Sequence, residues 1–431
     1  MGIPAAMKVY DAAWAATTPF LRRDRRLADG FSIRTLKSAL PGPADLWIQS
    51  ASAGEAHLTA TLIDHLACTA PLKAVLTTNT RQGLDILNSL TERPEVARKE
   101  MKTAATFFPF DRPSLMERAV RQVAPRLMVV METELWPGLL YQLKRFGIPV
   151  VVVNGRITPG SLKAYRRWPG LWRALSPDRI LAISEADARR FAQLFPNSRI
   201  ETMPNLKFDR IIPPDETGSD PDDGPLRRLV PPQASFIVLG SVRTEEEGAV
   251  ERMIAMLMRR RPDLVVGLVP RHLYRLEAWE RRLNHIGVRW RRRSSEIPAP
   301  PGSILLWDVF GELQAAYRMA GAAFVGGSLA PLGGQNFLEP LACGTPAVIG
   351  SSWENFEWVG PTLFDRQLVQ TVSDGNEAAG KLLAILERAP DRGRIRERFM
   401  DCIRPLQGGG RRAAEVIREE MASSRPFPVH K

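Results

Sequence analysis

Cysteine is scarce in this sequence, and the three cysteines that occur form no recognisable pair. Cys68, Cys343 and Cys402 lie far apart among the 431 residues, and none belongs to a CxxC motif. The spacing indicates neither a disulfide framework nor a zinc site, because both need closely grouped thiols. The pattern is typical of a protein from a reducing compartment.

Long hydrophobic runs are also absent. No stretch contains the roughly eighteen uncharged apolar residues that a membrane-spanning helix needs. Residues 1–21 have an apolar middle, but Lys8 and Asp11 interrupt it and no basic region precedes it, so we do not expect a signal peptide. Four arginines follow, Arg22, Arg23, Arg25 and Arg26. We therefore expect residues 1–30 to form a helix near a membrane surface, or else a helix packed on its own domain.

Acidic residues are outnumbered by basic ones. There are 47 Asp and Glu against 59 Lys and Arg, which gives a formal net charge of +12. A basic surface attracts anionic partners such as nucleic acid, anionic lipid or a phosphorylated sugar. The arginines are not interleaved with aromatic residues, and neither a zinc-finger spacing nor an RNP-type motif occurs. We therefore expect no nucleic acid partner.

Short apolar runs alternate with longer amphipathic stretches in two separate parts of the chain. The first part predicts strands at residues 46–48, 74–76, 127–130, 150–153 and 180–183. The second part predicts strands at residues 236–239, 264–269, 304–306, 322–325 and 347–349. This alternation predicts an α/β fold with two doubly wound parallel sheets. Ligands of such sheets bind at the carboxyl ends of the strands.

A proline-rich, acidic segment between the two parts predicts a linker at residues 213–232. We accordingly expect one Rossmann-like domain at residues 31–212 and a second at 233–405. Residues 406–431 are predicted to form a C-terminal helix and tail, and the helix is expected to return across the cleft between the domains. Two domains also agree with the chain length, which is too great for a single core.

The most informative motif follows the predicted strand at residues 322–325. Two glycine pairs occur there, at residues 326–327 and 333–334, and a helix is predicted from Asn336 to Gly344. Glycines let a phosphate approach the backbone, and the free N–H groups of a helix start bind anions. Glu339, one turn in, can accept hydrogen bonds from sugar hydroxyls. A plain strand-to-helix turn is the alternative, and the paired glycines favour a binding site.

Acidic side chains follow the predicted strands of the first half. Glu55 follows one strand end among small residues that include Ser52 and Gly54. A carboxylate in that place is suited to act as a general base toward a hydroxyl substrate. The alternative is that Glu55 stabilises the first turn of its own helix. Glu132 and Glu134 follow another strand, and two acids so close together indicate a ligand or a basic partner.

Basic side chains follow other strands of the first half. Arg156 comes first, and Lys163, Arg166 and Arg167 follow within a predicted helical stretch. Guanidinium groups match the geometry of phosphate, so this cluster predicts a phosphorylated acceptor. A solvated helix face is the alternative.

In the second half, two predicted strands end in polar residues. Ser241 follows one of them, and Arg271 and His272 follow the other. An arginine opposite the glycine-rich turn is suited to neutralise a leaving phosphate. Lys207, just before the linker, lies where the two halves are expected to meet and is a second candidate for a phosphate contact.

Taken together, six segments resemble those of the Kdo transferases, bacterial inner-membrane enzymes that move 3-deoxy-D-manno-octulosonic acid (Kdo) from CMP-Kdo to a lipid A precursor. The segments occur in the family's order and are Ser52 to Glu55, Met131 to Pro137, Asn154 to Arg156, Asn205 to Phe208, Val269 to His272 and Gly326 to Glu339. The resemblance implies the GT-B architecture, in which two Rossmann-like domains face each other across a cleft. It also implies an acceptor domain first, a donor domain second, and no metal or other cofactor.

With this resemblance, the residues above acquire expected roles in an inverting glycosyltransferase. Glu55 is the expected general base. The expected donor contacts are Lys207, Ser241, Arg271, His272, Gly326, Gly327, Gly334, Gln335, Asn336 and Glu339. The expected acceptor contacts are Ser52, Gly54, Glu132, Glu134, Arg156, Lys163, Arg166 and Arg167. The expected partners are CMP-Kdo or a related CMP-sugar, an anionic glycolipid, and the cytoplasmic face of the inner membrane.

The sequence departs from the family pattern at three places, and one of them is residues 1–21, where the family's N-terminal anchor is usually more hydrophobic. Gln335 stands where the family commonly has His, and Val242-Arg243 stands near a position where it has a Thr-His pair. A related acidic sugar or another acceptor is therefore an alternative. A sugar-nucleotide epimerase of the same architecture and a catalytically silent membrane scaffold are two further alternatives.

Overall fold

The computed structural model of the protein describes residues 2–66, 71–92, 101–211, 224–389, 391–424 and 427, without the side chains of residues 25, 26, 224 and 225. Cys68 and residues 213–223 of the predicted linker lie outside the described residues. The chain divides into two compact units. The first comprises Met1–Arg210 and Leu406–Lys431, and the second comprises Ile211–Pro405.

A sheet of seven parallel strands forms the centre of the first unit, in the order β3-β2-β1-β4-β5-β6-β7. The strands are β1 Leu46–Ser50, β2 Leu72–Thr78, β3 Met101–Phe107, β4 Leu127–Met131, β5 Val150–Gly155, β6 Arg179–Ala182 and β7 Arg199–Thr202. The helices of this unit are α1 Ile3–Leu21, α2 Arg25–Ala28, α3 Phe31–Arg34, α4 Ala53–His65, α5 Arg81–Thr91, α6 Pro113–Val123, α7 Pro137–Phe146, α8 Pro159–Tyr165, α9 Pro169–Ala174, α10 Glu185–Leu194, α11 Leu206–Asp209 and, at the C-terminal end, α20 Gly409–Ser423.

Both faces of this sheet are covered, so its central strands are apolar on both sides. Trp47 of β1 belongs to the hydrophobic cluster on one face, whereas its neighbours Leu46 and Ile48 belong to the cluster on the other. A strand buried on both faces appears in sequence as an unbroken apolar run. This explains why short apolar runs, and not alternating patterns, marked the strands.

The second unit repeats the design with a parallel sheet in the order β10-β11-β9-β8-β12-β13-β14. Its strands are β8 Phe236–Val242, β9 Val265–Pro270, β10 Arg289–Arg292, β11 Ser303–Leu306, β12 Ala322–Val325, β13 Ala347–Gly350 and β14 Val369–Val372. Its helices are α12 Gly224–Arg227, α13 Glu247–Arg260, α14 Leu276–His285, α15 Leu313–Met319, α16 Leu338–Ala342, α17 Thr362–Asp365, α18 Gly375–Glu387 and α19 Arg392–Ile403.

The end of the predicted linker packs inside the second unit. Leu226, Leu229 and Val230 are buried in a hydrophobic cluster beneath the sheet. These three residues of the predicted linker therefore belong to the core of this unit.

The C-terminal helix α20 packs in the first unit. Its small and branched side chains, Ala413, Ala414, Val416 and Ile417, lie in the same cluster as the buried face of α4. The Asp209 carboxylate accepts hydrogen bonds from the N–H groups of Gly408 and Gly410, at 2.7 and 2.5 Å. The chain thus returns from the second unit to complete the core of the first.

Helix α1 is docked on the first unit by polar contacts. The Tyr10 hydroxyl donates to the buried Asp111 carboxylate at 3.0 Å, and Asp11 pairs with Arg112 at 3.1 Å. This agrees with the expected alternative of a helix packed on its own domain. In the part of the chain that the structure describes, no helix combines the length and the apolar character needed to cross a bilayer.

Candidate active site

Glu55 lies in the first turn of α4, directly after β1 at the carboxyl edge of the first sheet. Its Oε2 accepts a hydrogen bond from the Ala51 N–H at 2.6 Å. Ser52 caps the helix, because its Oγ accepts from the Glu55 N–H at 3.3 Å. The side chain of Glu55 is only 8% exposed. The strand end and the helix start therefore hold this carboxylate in one place.

The surroundings of Glu55 favour its protonated form. Burial raises the pKa of Glu55 to about 8, and the negative charge of Glu134 adds to this rise. Hydrogen bonds from Ala51 and Ser52 oppose it, because they lower the pKa. A carboxylate with a pKa near the working pH is suited to take up a proton during a reaction. The pKa of Glu55 therefore lies close to neutral pH, and its role as general base stays a prediction.

The two acids predicted to follow β4 lie beside Glu55 and have different partners. Glu132 adopts a left-handed backbone conformation, with φ of 54°, and its Oε1 is 3.5 Å from the Lys207 Nζ. Glu134 accepts a hydrogen bond from the Trp136 indole at 2.8 Å. Burial raises the pKa of Glu134 to about 7, and the charge of Glu132 adds to this rise. Lys207, expected as a donor contact, therefore belongs to the acidic group of the first unit.

Asn154 positions Lys207, a role that sequence reasoning missed. Asn154 is buried at the end of β5 with φ of 60°, and its Oδ1 accepts a hydrogen bond from the Leu206 N–H at 2.9 Å. Asn205 accepts from the Lys207 N–H at 3.0 Å and caps α11. The motif of Asn154 to Arg156 and the motif of Asn205 to Phe208 are thus joined in space, and only the fold shows their connection.

A cavity of about 470 Å³ lies beside α8. Lys163, Arg166 and Arg190 line it, together with Pro159, Leu162 and Gln193. Arg167, which was expected to act with Lys163 and Arg166, is exposed but is not among the lining residues. Arg190 comes from α10 and donates to the Ile157 carbonyl at 3.2 Å, and its sequence position gave no signal of this role.

Helix α8 is also electrostatically linked to the acidic group. The pKa of the Tyr165 hydroxyl is raised by burial and, in addition, by the charge of Glu134. Arg156 is tied to the same region, because its carbonyl accepts a hydrogen bond from the Thr133 hydroxyl. The first unit therefore contains an acidic group around Glu55 and a basic cavity beside α8.

In the second unit, the predicted donor residues lie at or after the carboxyl ends of neighbouring strands. Ser241 has φ of 56° near the end of β8. The Arg271 N–H, just after β9, donates to the Val242 carbonyl at 2.8 Å. The His272 ring stacks on Tyr274 with the ring centroids 5.2 Å apart.

Two aromatic side chains at this edge were missed by the sequence analysis. Tyr274 follows β9 and Phe310 follows the adjacent strand β11, and each is 75% exposed. Exposed aromatic rings at the ligand-binding edge of a sheet are suited to stack on a nucleobase.

The helix of the glycine-rich motif is shorter than predicted. It begins at Leu338 and ends at Ala342, whereas the prediction was Asn336 to Gly344. The Asn336 Oδ1 accepts from the Leu338 N–H at 3.2 Å, and the Asn336 amide donates to Glu339 at 2.9 Å. Asn336 therefore acts as a side-chain cap in front of the helix, because its oxygen satisfies one of the free N–H groups there.

The N–H groups of both glycine pairs are used within the protein. In the first pair, Gly326 donates to the Gly240 carbonyl at 2.8 Å and Gly327 donates to the Glu246 carboxylate at 2.5 Å. In the second pair, Gly333 donates to the Ser352 hydroxyl and Gly334 donates to the Gly327 carbonyl, both at 2.8 Å. These four N–H groups therefore have acceptors within the second unit. That the N–H groups of the helix start bind a phosphate stays a prediction. Gln335 also bonds locally, since its side chain donates to the Gly334 carbonyl at 3.3 Å.

Comparison with known proteins adds decisive evidence. The family model described as 3-deoxy-D-manno-octulosonic-acid transferase (kdotransferase) matches residues 22–210. The 3-deoxy-D-manno-octulosonic acid transferase of Bordetella pertussis is 32% identical over 74% of each chain. The enzyme of the same name from Haemophilus influenzae is 29% identical over 92% of each chain. The chain belongs to the Kdo transferase family. The resemblance stated from the sequence is thus confirmed, and the protein is a glycosyltransferase.

Solved structures with a similar fold agree with the GT-B architecture expected for a Kdo transferase. A UDP-GlcNAc 2-epimerase from Neisseria meningitidis has a TM-score of 0.56 at 13% identity, over 88% of this chain and all of that one. A glycosyltransferase from Rickettsia africae has a TM-score of 0.55 at 10% identity, over 89% of this chain and all of that one. At these identities the likeness concerns the fold alone.

Two further observations complete the description of this Kdo transferase family member. Arg243, where the family commonly has a Thr-His pair nearby, donates its backbone N–H to Glu246 at 2.8 Å. Among the described residues, no group of three or more His, Cys, Asp and Glu side chains is arranged to hold a metal ion.

Proposed function

We propose that this glycosyltransferase moves Kdo from CMP-Kdo to a lipid A precursor in lipopolysaccharide biosynthesis, with inversion at the anomeric carbon. Family membership supports the sugar and the reaction class. The observation that carries the mechanism is the buried Glu55 carboxylate, whose pKa is raised to about 8 at the carboxyl edge of the first sheet.

In the proposed step, a hydroxyl of the acceptor attacks the anomeric carbon of Kdo. Glu55 takes the hydroxyl proton, the new carbon–oxygen bond forms, and the bond between the anomeric carbon and the CMP phosphate oxygen breaks. CMP leaves with the electron pair of that bond. That Glu55 meets a donor held by the second unit stays a prediction.

On the donor side, Arg271, His272, Asn336 and Glu339 are the proposed contacts. CMP carries a single phosphate, so we propose that Arg271 neutralises the leaving phosphate in place of the metal that diphosphate donors often use. Tyr274 and the other residues at this edge would then bind the nucleoside. Asn336 and Glu339 lie directly after the glycine loop, and the Asn336 amide donates a hydrogen bond to Glu339 at 2.9 Å. We propose that this pair contacts the sugar hydroxyls or the phosphate of the donor.

On the acceptor side, we propose that the basic cavity binds a phosphate of the glycolipid. Lys163, Arg166 and Arg190 line a space of about 470 Å³, which is large enough for a phosphorylated sugar ring. Arg190 also pairs with Asp187 at 3.1 Å, so Lys163 and Arg166 are the main proposed phosphate contacts.

We further propose that the enzyme works as a peripheral protein at the cytoplasmic face of the inner membrane. Its acceptor is a membrane lipid in this proposal, and residues 156–177 carry five basic and no acidic side chains. Trp168 in this segment is 68% exposed, and tryptophan is favoured at membrane interfaces.

The replacement Glu55→Gln tests the central step. We expect the rate of Kdo transfer to fall about a thousandfold, because a glutamine cannot take the proton, while CMP still binds with its normal affinity. Transfer is measured by mass spectrometry of a tetraacylated lipid A precursor incubated with CMP-Kdo.

Glu185→Gln is the matched control. Glu185 also lies in the first turn of a helix that follows a strand of the same sheet, but it is exposed. If the Glu55 carboxylate only stabilised the first turn of its helix, both replacements would have the same small effect on the rate of Kdo transfer. Full turnover in Glu55→Gln would contradict its role as base, and consumption of CMP-Kdo or its isomerisation without acceptor would favour an epimerase.

A further inference from the structure

Glu246 is a buried carboxylate in the second unit for which the proposed reaction has no use. It ends a short 3-10 helix, Thr244–Glu246, between β8 and α13, and it is 2% exposed. A carboxylate is costly to bury unless its charge is satisfied by hydrogen bonds or an ion pair. Its partners therefore indicate its role.

The partners of Glu246 are four backbone N–H groups from two loops. Its Oε1 accepts from Arg243 at 2.8 Å and from Gly327 at 2.5 Å. Its Oε2 accepts from Ser328 at 3.2 Å and from Leu329 at 3.3 Å. Successive N–H groups that converge on one point form a typical anion-binding concavity. Here the protein fills that concavity with its own carboxylate.

Gly326 makes room for this arrangement. A Cβ at Gly326 would lie 2.5 Å from the Glu246 Oε1 and 2.7 Å from the Ser241 carbonyl. A side chain at this position would therefore displace the carboxylate or the neighbouring backbone. The requirement for glycine here therefore comes from Glu246 together with the backbone of Ser241 and Val242.

The bond to Gly327 also fixes the rest of the glycine loop. The Gly327 carbonyl accepts from the Gly334 N–H at 2.8 Å, and the Gly326 carbonyl accepts from the Gln335 N–H at 3.1 Å. Asn336 follows directly. A carboxylate that holds one end of the loop therefore determines where the residues at its other end lie.

We propose that Glu246 is a positioning residue for the donor site. By holding residues 327–329, it sets the conformation of the loop that presents Asn336 and Glu339 to the CMP-sugar. The inference rests on the proposed function, because the ligand it positions for is the nucleotide of that reaction. Glu246 acts only through the backbone and does not touch the donor.

The first test uses the unmodified protein and amide hydrogen exchange. We expect the amides of Gly327, Ser328 and Leu329 to exchange slowly without ligand, because they donate to Glu246. Saturating CMP should slow them no further. A strong additional slowing by CMP would mean that these amides bind the nucleotide, and it would overturn the proposal.

The second test is Glu246→Gln, which keeps the size of the side chain. Glutamine offers one acceptor oxygen, so two of the four N–H groups lose their acceptor. We expect the dissociation constant of CMP to rise about tenfold at a temperature at which the variant is folded, because lost hydrogen bonds to a charged group loosen the loop. The amides of residues 327–329 should also exchange faster.

Glu247→Gln is the matched control. Glu247 is the next residue and is 1% exposed, but its carboxylate pairs with the side chains of Arg275, at 2.7 Å, and Arg282, at 3.4 Å. We expect this variant to have a lower melting temperature and a CMP dissociation constant within about twofold of the wild type, because the glycine loop keeps its carboxylate.

The outcomes separate the inference from the proposed function. If both variants lose thermal stability and both bind CMP as the wild type does, Glu246 has a merely structural role and the proposal is wrong. If the wild type itself binds no CMP, the proposed function fails and the donor-positioning role fails with it. Weaker CMP binding in Glu246→Gln alone supports the proposal.

Discussion

Glu55 is the third residue of its helix and Glu185 the first residue of its own, and the two have different surroundings. Each lies in the first turn of a helix that follows a strand of the same parallel sheet. Glu185 is exposed, whereas Glu55 is buried beside Glu134 and its pKa is raised to about 8. Both residues thus lie in a first helical turn, and burial together with a neighbouring charge distinguishes the proposed base.

The pH dependence of the reaction follows from this pKa. A general base must be unprotonated, so we expect kcat/KM to rise with pH up to about 8, the pKa of Glu55. Two neighbouring negative charges raise the pKa of Glu55, and Glu134→Gln removes the one with the larger effect. The rising limb of the profile should then move to lower pH, and the variant should keep more of its maximal kcat/KM below pH 7 than the wild type does.

Glu132→Gln provides the comparison for that profile. Glu132 raises the pKa of Glu55 less than Glu134 does, and its own charge is partly balanced by Lys207 at 3.5 Å. We expect Glu132→Gln to shift the rising limb of the pH profile less than Glu134→Gln does. A limb that stays in place in Glu134→Gln would show that Glu55 does not control it.

At the scale of elements, the contact between Tyr10 and Asp111 connects α1 with the body of the first unit. Asp111 is buried, and besides the Tyr10 hydroxyl it accepts from the N–H groups of Gly138 and Leu139 at the start of α7, at 2.8 and 2.7 Å. Burial raises the pKa of Asp111 to about 7, and these hydrogen bonds oppose the rise. One carboxylate thus joins two helices.

Tyr10→Phe tests the energy of this connection. We expect the free energy of unfolding to fall by about 1–3 kcal/mol, since a buried charged acceptor loses a donor. The loss should be larger at pH 8 than at pH 5. The Tyr10 hydroxyl stabilises the charged form of Asp111. Its removal therefore raises the folded-state pKa of Asp111 further above the unfolded value. Because a raised folded-state pKa costs stability at higher pH, the variant loses more stability as the pH rises. Urea unfolding at the two pH values measures both effects.

Tyr141→Phe serves as the control for hydroxyl removal. The ring of Tyr141 contacts the Arg145 guanidinium at 5.8 Å, and that contact does not involve the hydroxyl. We expect a change within about 0.5 kcal/mol at either pH. Equal and pH-independent losses in the two variants would mean that Asp111 does not use the Tyr10 hydroxyl.

The basic cavity beside α8 makes a prediction about the acceptor. In a Lys163→Ala/Arg166→Ala variant, the KM for a phosphorylated acceptor should rise about tenfold with little change in kcat, because the lost contacts concern binding and not the chemical step. An acceptor that lacks the phosphate should show no such difference between variant and wild type.

Arg173→Ala is the control for the cavity variant. Arg173 is exposed on α9, in the same basic segment, and does not line the cavity. It should leave the KM of both acceptors unchanged. A rise in KM that is the same for phosphorylated and unphosphorylated acceptors would contradict a phosphate site at Lys163 and Arg166.

The elements that the sequence missed have a common physical cause. All ten predicted strands are confirmed, and the four unpredicted ones, β3, β7, β10 and β14, are the outermost strands of the two sheets. An edge strand has a neighbour on one side only, so more of it meets solvent and polar residues are tolerated. The extreme case is β10, whose sequence is Arg-Trp-Arg-Arg.

At the scale of the whole molecule, the net charge of +12 is unevenly distributed. Residues 156–177 contain five basic residues and no acidic residue, beside the exposed Trp168. We expect the protein to bind vesicles that contain phosphatidylglycerol and not pure phosphatidylcholine vesicles. Binding should weaken as salt is raised, because the Debye length shrinks from about 10 Å at 0.1 M. Vesicle sedimentation measures this.

Two charge reversals of equal size locate the membrane contact. Arg167→Glu/Arg173→Glu should reduce vesicle binding strongly. Arg259→Glu/Arg260→Glu changes the net charge by the same amount on exposed residues of α13 in the second unit and should reduce it little. Equal losses would indicate that only the total charge matters.

The sequence predicted several residues of the candidate site but few of the contacts that those residues make. Glu55, Glu132 and Glu134 were identified because each follows a buried apolar strand. The roles of Asn154, Arg190 and Glu246 were not, since each acts on backbone groups that lie far away in the chain. A single sequence without spatial neighbours carries no signal for such contacts.

The sequence alone determined the α/β class, the presence of two parallel sheets, and the strand ends at which polar side chains collect. These follow from apolar runs and turn residues, which are local properties of the chain. Tertiary structure decided the rest: the elevated pKa of Glu55, the pairing of Lys207 with Glu132, and the occupation of the Gly327 amide by Glu246. Burial and electrostatics depend on which segments pack together, and that information exists only once the chain has folded.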